Sequence, residues 1–501
     1  MCDLLTPRRF GVEAGRAATE EIKKEPTPMR YDTARTVSRR ARPWLAVVAA
    51  APIAATGALA QTAPPTTPSA PAATPAAAPT APATSAAPGA PAAPAAPAAP
   101  PSGFWVDGIH LSAQVDAGVI FNPFRPQTGQ NWGQLFTDHA NQVQMNQLLL
   151  TANKPLDPKD SDYQWGFKVQ FMYGSDARYT QFFGELNRVD PNQRYQLDVV
   201  EANVLLHTPW LSTGGIDWKI GQYPTPLGYE VIDPSQNPFY SHSYIFQFGL
   251  PFKHTGAYAT WHATDLVDVY GGIDTGTNTT FGPLGDDNGA IGGMGGFGLN
   301  LMGGNLTILA LTHFGPEDST RAFSALSPTV NANGQWRYFN DAVITWKATD
   351  TLTSVTELNL VREAYGAKGT PVNGFGIAQY LSYALNDNWT LNGRVEYWRD
   401  DNNFFVASFS SNGDYIRFQQ GLPLQSGVYA APGGSTTYGA LTLGVTYKPD
   451  LPPWITGVLI RPEIRWDHAF TNNDPFNNNP PANNKGTNNS FTFGADAVIT
   501  F

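Results

Sequence analysis

From residue 104 onward, apolar and polar side chains alternate along short segments of the chain. In 109–119 every odd position is apolar and every even position is polar or small, and segments 164–173 and 389–397 repeat the alternation. A period of two is typical of a β-strand that has one apolar face and one polar face. The segments are about ten residues long, which is the length of a tilted strand that crosses a lipid bilayer.

The alternation predicts sixteen strands, and the lengths of the links between them follow a rule. The predicted strands are 109–121, 143–153, 164–174, 196–206, 216–223, 255–262, 267–274, 291–301, 305–313, 338–346, 352–361, 374–384, 389–398, 437–447, 458–467 and 491–501. Links after odd-numbered strands have twelve residues or more, whereas links after even-numbered strands have ten or fewer. A soluble sandwich has no reason to sort its loops in this way, but an outer-membrane barrel has short periplasmic turns and long outer loops. The sequence therefore predicts an all-β fold, a transmembrane antiparallel β-barrel of about 16 strands.

Residues near the strand ends fit a bilayer setting. Trp165, Trp389 and Trp466 lie near the ends of predicted strands, where barrels carry interfacial aromatic girdles. Phe501 closes the last alternating strand and resembles the terminal signal that the barrel-assembly machinery reads. The expected partners are outer-membrane lipid and, through Phe501, that machinery.

The first hundred residues have a different character. Residues 1–60 are predicted to be a leader with a cleavable signal peptide, because a basic start and an apolar stretch precede a small-x-small pattern at 58–60. Met29 is a hypothetical true start. Residues 61–102 are predicted to be a disordered, extended Ala/Pro-rich linker, since 61–101 contain 13 Pro and 18 Ala and no charge. The barrel then spans 103–501, and the expected localisation is the outer membrane of a Gram-negative bacterium.

Composition excludes several classes of protein. Only 14% of the residues are charged, against about 25% in ordinary soluble domains. The net charge of −10 argues against a nucleic-acid partner, because such partners attract basic surfaces. After residue 60 the chain has no apolar run of about 20 residues, so it is not a helical membrane protein. Cys2 is the single cysteine, so the chain forms no internal disulfide.

Catalytic and metal-binding motifs are not found in the sequence. It contains no G-x-S-x-G, H-E-x-x-H or EF-hand pattern, and its eight histidines never fall at ligand spacing along the chain. We therefore expect no enzyme activity, no catalytic residue, no cofactor and no metal site. A set of Asp, His and Ser side chains assembled in space stays open as an alternative.

Several segments resemble a known family. They are WGFKVQFMYGSDARYT (165–180), QLDVVEANVLL (196–206), GQYPTPLGYEVIDPSQNPFYSHSYIFQFGLPFKHTGAYATW (221–261) and GGIDTGTNTT (271–280). They are similar to the OmpL-like family of outer-membrane β-barrel porins, over roughly 104–501 and most strongly between 140 and 280. The resemblance implies a porin without naming its solute, and the Ala/Pro spacer lies outside it.

The third outer link is the candidate constriction. A sixteen-strand barrel is wide enough to leave an aqueous channel. Link 224–254 is 31 residues long and aromatic-rich, and its position matches the inward-folding loop common in sixteen-strand porins. Its candidate residues are Tyr229, Glu230, Asp233, Tyr240, His242 and Tyr244. A surface lid or a latch between subunits is the alternative interpretation.

Parity also assigns charged side chains to the lumen. The predicted pore-lining residues are Asp116, Lys168, Glu201, Lys219, Glu357, Arg394, Glu396, Arg461, Glu463, Arg465 and Asp467. Removing residues 1–60 takes away ten basic and six acidic residues, which leaves 21 basic and 35 acidic residues and a net charge of −14. Because carboxylate-lined pores favour cations, we expect a mild cation preference. The charges of 461–467 have a second interpretation, as paired wall charges that hold strands together.

These observations support two functions from different classes. The first is a water-filled porin for passive diffusion of small hydrophilic solutes, in the homotrimer that such barrels often form. The second is a non-conducting outer-membrane barrel that serves surface adhesion or envelope anchoring. A soluble exported β-rich carbohydrate-binding protein is a third alternative, which a detergent requirement would exclude.

Overall fold

The architecture is taken from a computed structural model. It describes residues 104–501 apart from 127–128, 159, 183, 187–188, 190–192, 283–287, 318–319, 321–330, 366–369, 402, 407–433, 453–454, 472–473 and 478–485. The leader 1–60, the alternative start Met29 and the linker 61–102 lie outside the described residues, so those expectations stay predictions.

Sixteen antiparallel strands of the described chain close into one barrel. In chain order they are β2 (Ile109–Phe121), β3 (Val143–Lys154), β4 (Gln164–Gly174), β5 (Gln196–Thr208), β6 (Ile216–Pro224), β7 (Lys253–Thr264), β8 (Val267–Thr277), β9 (Gly292–Leu301), β10 (Leu306–Pro316), β11 (Trp336–Lys347), β12 (Leu352–Tyr365), β13 (Thr370–Ala384), β14 (Trp389–Asp401), β15 (Ser435–Tyr447), β16 (Gly457–Ala469) and β17 (Asn489–Thr500). Each strand pairs with its neighbours in sequence, and β17 pairs with β2 from Thr500↔Gln114 to Phe493↔Phe121. The predicted fold class and all sixteen predicted strands are confirmed.

One further strand was not predicted. β1 (Phe104–Val106) forms a hairpin with the start of β2, through a turn at Asp107 and Gly108 whose φ angles are 49° and 80°. The Phe501 N–H and C=O pair with Ala113 of β2, so β1 continues the line of β17 along the same side of β2. Three residues are too few to show an alternation, which is why the pattern did not reveal β1.

The two faces of the wall differ as the alternation requires. Outward-facing side chains such as Leu150, Ile273 and Val395 are 53%, 61% and 56% exposed and form an apolar outer surface, which the sequence predicts to face lipid. Inward-facing positions carry polar and charged side chains, and many of them are buried inside the barrel. A closed barrel pairs its backbone groups across strands, which satisfies them in hydrocarbon without leaving an edge.

The helical segments of the described chain are short. They are α1 (Ala177–Thr180), the 3₁₀ turns Pro234–Gln236, Met302–Gly304 and Ala332–Gly334, and the π-helix Ile245–Gly249. Within the described parts of the chain, each helical segment is too short or too polar to traverse a lipid bilayer. The segment between β6 and β7, residues 225–252, is called loop 3 below.

Candidate functional site

Loop 3 folds into the barrel and buries most of its apolar side chains there. It leaves β6 at Pro224 and returns to β7 at Lys253. Side chains of this loop that are at most 6% exposed include Leu227, Tyr229, Ile232, Phe239, Tyr240, Tyr244, Ile245, Phe246, Phe248 and Leu250. Such a run of aromatic and aliphatic residues in one loop is stable only where it is removed from water, which the lumen provides.

Glu230 is the most strongly bound charge of loop 3. Its carboxylate pairs with Arg394 Nη1 at 2.7 Å and with His242 Nδ1 at 2.7 Å. It also accepts hydrogen bonds from the Tyr380 hydroxyl at 3.0 Å and the Ser243 N–H at 3.1 Å. Burial by itself raises the pKa of Glu230, but Arg394, His242 and the Ser243 N–H stabilise the charged form, so the pKa falls to about 2.

A charged network on β14 and β16 continues from this contact. Glu396 pairs with Arg394 Nε at 2.8 Å and with Arg465 Nη1 at 3.0 Å, and Arg465 also pairs with Asp467 at 2.8 Å. Loop 3 joins the network through Tyr244, whose N–H donates to Glu396 Oε2 at 2.7 Å and whose hydroxyl donates to Asp467 at 3.0 Å. These charges therefore bind the loop as well as one another.

Two further wall carboxylates accept backbone N–H groups of the loop. Glu463 of β16 accepts from the N–H groups of Tyr240 at 3.0 Å and Ser241 at 3.2 Å. Glu357 of β12 accepts from the N–H of Tyr229 at 3.0 Å. Buried backbone donors need such partners, so the inward-facing acids substitute for the strand pairing that a loop lacks.

Arg461 of β16 supplies the matching donor. Its Nη1 donates to the carbonyl oxygens of Pro234 and Asn237, at 2.6 and 2.7 Å. The same guanidinium pairs with Asp496 of β17. The wall therefore satisfies both N–H and C=O groups of loop 3.

Loop 3 also contacts the next strands along the wall, β2 and β3. The Tyr240 hydroxyl donates to Asn146 Oδ1 of β3 at 2.9 Å. Gln114 Nε2 of β2 donates to Asp233 Oδ1 at 2.8 Å. Loop 3 therefore crosses the lumen from β6 and β7, where it begins and ends, to a continuous arc of wall that runs from β12 through β17 to β2 and β3.

The first outer loop, which joins β2 to β3, packs against loop 3. Asp138 binds both terminal nitrogens of Arg178, each at 3.0 Å, and accepts from the Tyr179 hydroxyl at 2.9 Å. Burial raises the pKa of Asp138, but Arg178 and His139 oppose it more strongly and bring the pKa to about 2. Phe136 of the same loop packs against His242, with ring centroids 4.9 Å apart.

All eleven residues that parity assigned to the lumen lie on the inward-facing side of their strands. Those on the wall that holds loop 3 are Glu357, Arg394, Glu396, Arg461, Glu463, Arg465 and Asp467, and each is at most 5% exposed. The other four are Asp116 of β2, Lys168 of β4, Glu201 of β5 and Lys219 of β6. Lys168 pairs with Glu201 at 2.6 Å, and its side chain is 32% exposed. Whether these residues line a conducting path stays a prediction.

The interpretation of the 461–467 charges as paired wall charges that hold strands together fits Arg461, which pairs with Asp496 of the neighbouring strand β17. Arg465 pairs with Asp467 of its own strand and with Glu396 of β14, whereas Glu463 binds the backbone of loop 3. Sequence reasoning also missed Tyr380 and Asn146, which are uncharged ligands of the loop. The alternation of β13 places Tyr380 inward and could have identified it, whereas Asn146 is the extra residue at the β3 bulge, where the alternation breaks.

The comparisons with known proteins agree with this architecture. The family model described as "Putative beta-barrel porin-2, OmpL-like" matches residues 108–501. No curated protein sequence matches the chain. Similar solved structures include OmpF of Salmonella typhi in complex with daunomycin, which is 10% identical over 79% of this chain and 99% of that chain, with a TM-score of 0.47. OprB of Pseudomonas putida at high pH is 13% identical over 79% of this chain and 94% of that chain, with a TM-score of 0.45. The outer-membrane channel DcaP of Acinetobacter baumannii is 13% identical over 80% of this chain and 100% of that chain, with a TM-score of 0.42. With identities of 13% or less and TM-scores below 0.5, these three likenesses carry no further conclusion.

Proposed function

The chain belongs to the OmpL-like β-barrel porin family, and on this premise we propose that it is a channel for passive diffusion of small hydrophilic solutes, with loop 3 as its constriction. The observation that carries the proposal is the path of loop 3 through the lumen, since the loop begins and ends at β6 and β7 while its Glu230 pairs with Arg394 of β14, half the barrel away. A loop that only covered the surface would not need buried partners on the far side of the barrel.

The proposed cation preference rests on how the basic side chains are engaged. Arg394, Arg461 and Arg465 are each paired with carboxylates, so their charges are locally neutralised. Asp217 and Asp268 lie near the short-turn end of the lumen, where their side chains are 19% and 33% exposed and the two carboxylates share His262 as a partner. Exposed carboxylates in a narrow aqueous path raise the local concentration of cations.

Planar-bilayer recording tests both parts of the proposal. We expect ohmic single-channel steps from the purified protein, a larger conductance after deletion of 231–243, and a reversal potential of cation-selective sign under a salt gradient. The double variant Asp217→Asn/Asp268→Asn should lower that potential, whereas Asp157→Asn, in the exposed β3–β4 turn, serves as its control. Unchanged conductance after the deletion would remove the constriction, and an anion-selective sign would remove the cation preference.

A non-conducting barrel for adhesion or envelope anchoring is the second candidate function. The observation that favours it is the depth of burial beside loop 3, since Arg394 is 0% and Arg465 2% exposed. Absence of current from a correctly folded barrel, with current restored by deletion of 231–243, would assign loop 3 to a closed plug. A homotrimer, bound lipid and recognition of Phe501 by the assembly machinery remain proposals, and the mass of the detergent complex tests the first of them.

A further inference from the structure

Two histidines and an aspartate from three different strands meet inside the barrel. His254 of β7 and His313 of β10 flank Asp274 of β8, at the ends of these strands that lead into the outer loops. His254 Nδ1 is 3.0 Å from Asp274 Oδ2, and His313 Nε2 is 3.0 Å from both carboxylate oxygens. The exposed fractions of the three residues are 0%, 4% and 0%.

The other nitrogen of each histidine ring also faces a polar partner. His254 Nε2 is 3.1 Å from the Thr225 hydroxyl, and His313 Nδ1 is 3.8 Å from Glu317 Oε1. Histidines that bind metals usually donate their second N–H to a carboxylate, hydroxyl or carbonyl oxygen, which fixes the tautomer that ligates. Thr225 therefore holds the His254 ring with Nδ1 toward Asp274, whereas Glu317 lies beyond hydrogen-bond distance of His313 Nδ1 and faces it only as a nearby carboxylate.

The surroundings leave room at this point. A Cβ at Gly292 would lie 2.6 Å from Asp274 Oδ1 and 3.1 Å from His313 Nε2, so only a glycine leaves this side of the cluster open. The Tyr223 ring lies 5.8 Å from the His254 ring, and its buried hydroxyl has no hydrogen-bond partner among the described residues. A buried hydroxyl without a hydrogen-bond partner is rare unless water or a ligand bonds to it.

We propose that His254, Asp274 and His313 bind a first-row divalent cation, with Zn²⁺ as the ion that best fits two imidazoles and a carboxylate. Bond lengths of about 2.0–2.2 Å in a tetrahedral site place neighbouring ligand atoms roughly 3.3 Å apart. The two histidine-to-Asp274 separations of 3.0 Å are close to this value, and the three ligand atoms all lie within 4.8 Å of one another. Three protein ligands leave the fourth position to water.

Two buried carboxylates take part in this cluster. The side chains of Asp274 and Glu317 are 0% and 2% exposed, and both lie beside His313. Carboxylates buried to this degree are paired or coordinate metals, and an ion bound between the two imidazoles and Asp274 meets that requirement. The cluster is separate from the Glu230 contacts of loop 3, so the inference does not depend on the proposed constriction.

Zn²⁺ titration of the full chain, purified in detergent without a histidine tag, tests the site. A chelating dye gives the affinity and stoichiometry, and heat-modifiable migration confirms that every variant is folded. We expect one Zn²⁺ per chain and a loss of affinity of at least about tenfold for His254→Gln or His313→Gln. His262→Gln is the matched control, because His262 also lies on β7 between two aspartates, Asp217 and Asp268, and we expect it to leave the affinity unchanged.

A second measurement needs no variant. Co²⁺ added to the wild-type protein should give the visible absorption of a four-coordinate site, and stoichiometric Zn²⁺ should abolish it. Glu317→Gln retains all three ligands, so we expect it to weaken Zn²⁺ binding less than either histidine variant does. The proposal is overturned if the wild type binds no Zn²⁺, if it gives no four-coordinate Co²⁺ spectrum, or if His262→Gln loses the ion as the ligand variants do.

Discussion

Glu230→Gln should release loop 3 from the wall formed by β13 and β14. The pKa of Glu230 is about 2 in the folded barrel, against an ordinary value of 4.5. Because its folded pKa is lowered, the carboxylate contributes its full stabilisation above pH 4.5 and loses it as the pH falls through about 2. A shift of this size corresponds to about 3 kcal/mol at pH 7. The glutamine retains the shape of the side chain but not the charge that Arg394 and His242 bind.

About 3 kcal/mol changes a population roughly a hundredfold, and a thiol on the loop can report that change. Ser243 is 0% exposed, so a Ser243→Cys substitution in a Cys2→Ser background reacts with a water-soluble thiol reagent only when the loop leaves its site. When closing is fast relative to labelling, the rate follows the population of the displaced loop. We expect labelling to be about a hundred times faster in the Glu230→Gln variant at pH 7.

The control removes a carboxylate from the same strand as Arg394 without touching this contact. Asp401 pairs with Arg399 of β14 at 2.8 Å, and its side chain is 44% exposed. Exposed pairs contribute only about 0–1 kcal/mol, so Asp401→Asn should leave the labelling rate within roughly fivefold of the parent. Equal rates for Glu230→Gln and the parent, in barrels that are both folded, would show that Glu230 does not hold the loop.

Three further substitutions test other parts of the architecture. Asp138→Asn should destabilise the first outer loop by about 2 kcal/mol at pH 7, because the pKa of Asp138 is lowered to about 2 and Arg178 loses its partner. The temperature at which the protein changes its migration on a gel measures this loss, and an unchanged temperature contradicts the prediction. Gly376→Ala places a Cβ 2.5 Å from Ile245 Cγ1, so it should loosen loop 3 by about 1–3 kcal/mol and speed labelling of the introduced thiol. Val395→Arg on the lipid-facing surface of β14 should cost about 2–4 kcal/mol in urea unfolding from lipid vesicles, and a neutral effect would place that face away from hydrocarbon.

The strands could be predicted because one local rule determines them. Each inward-facing position must tolerate the lumen and each outward-facing position must tolerate lipid, so a period of two persists through β2–β17. β3 and β5 each carry a bulge, opposite Asp116–Ala117 of β2 and Gln170–Phe171 of β4. Each bulge shifts the alternation locally without ending the strand. Prediction from alternation therefore gave the strand positions and the lumen face together.

The contacts of the site could not be predicted in the same way, because they join distant parts of the chain. Glu230 and Arg394 are 164 residues apart, and Tyr240 and Glu463 are 223 apart. Nothing local in the sequence states which wall charge a loop will meet once the barrel closes. The same reason hides the cluster of His254, Asp274 and His313, since spacing along one chain segment identifies ligands of one helix or loop and not of three strands.

A count of inward-facing charges does not by itself predict the ion selectivity of the folded barrel, because many of these charges are paired. Counting treats each charge as free to act on a passing ion, but Arg394 and Arg465 share Glu396, and Glu463 is engaged by loop backbone. Paired charges have short-range fields, whereas near the short-turn end two carboxylates, Asp217 and Asp268, share one histidine, His262, and their side chains are 19% and 33% exposed. Selectivity in this barrel should therefore depend on the exposed carboxylates near the short-turn end of the lumen, while the larger group of buried charges determines whether loop 3 stays in place.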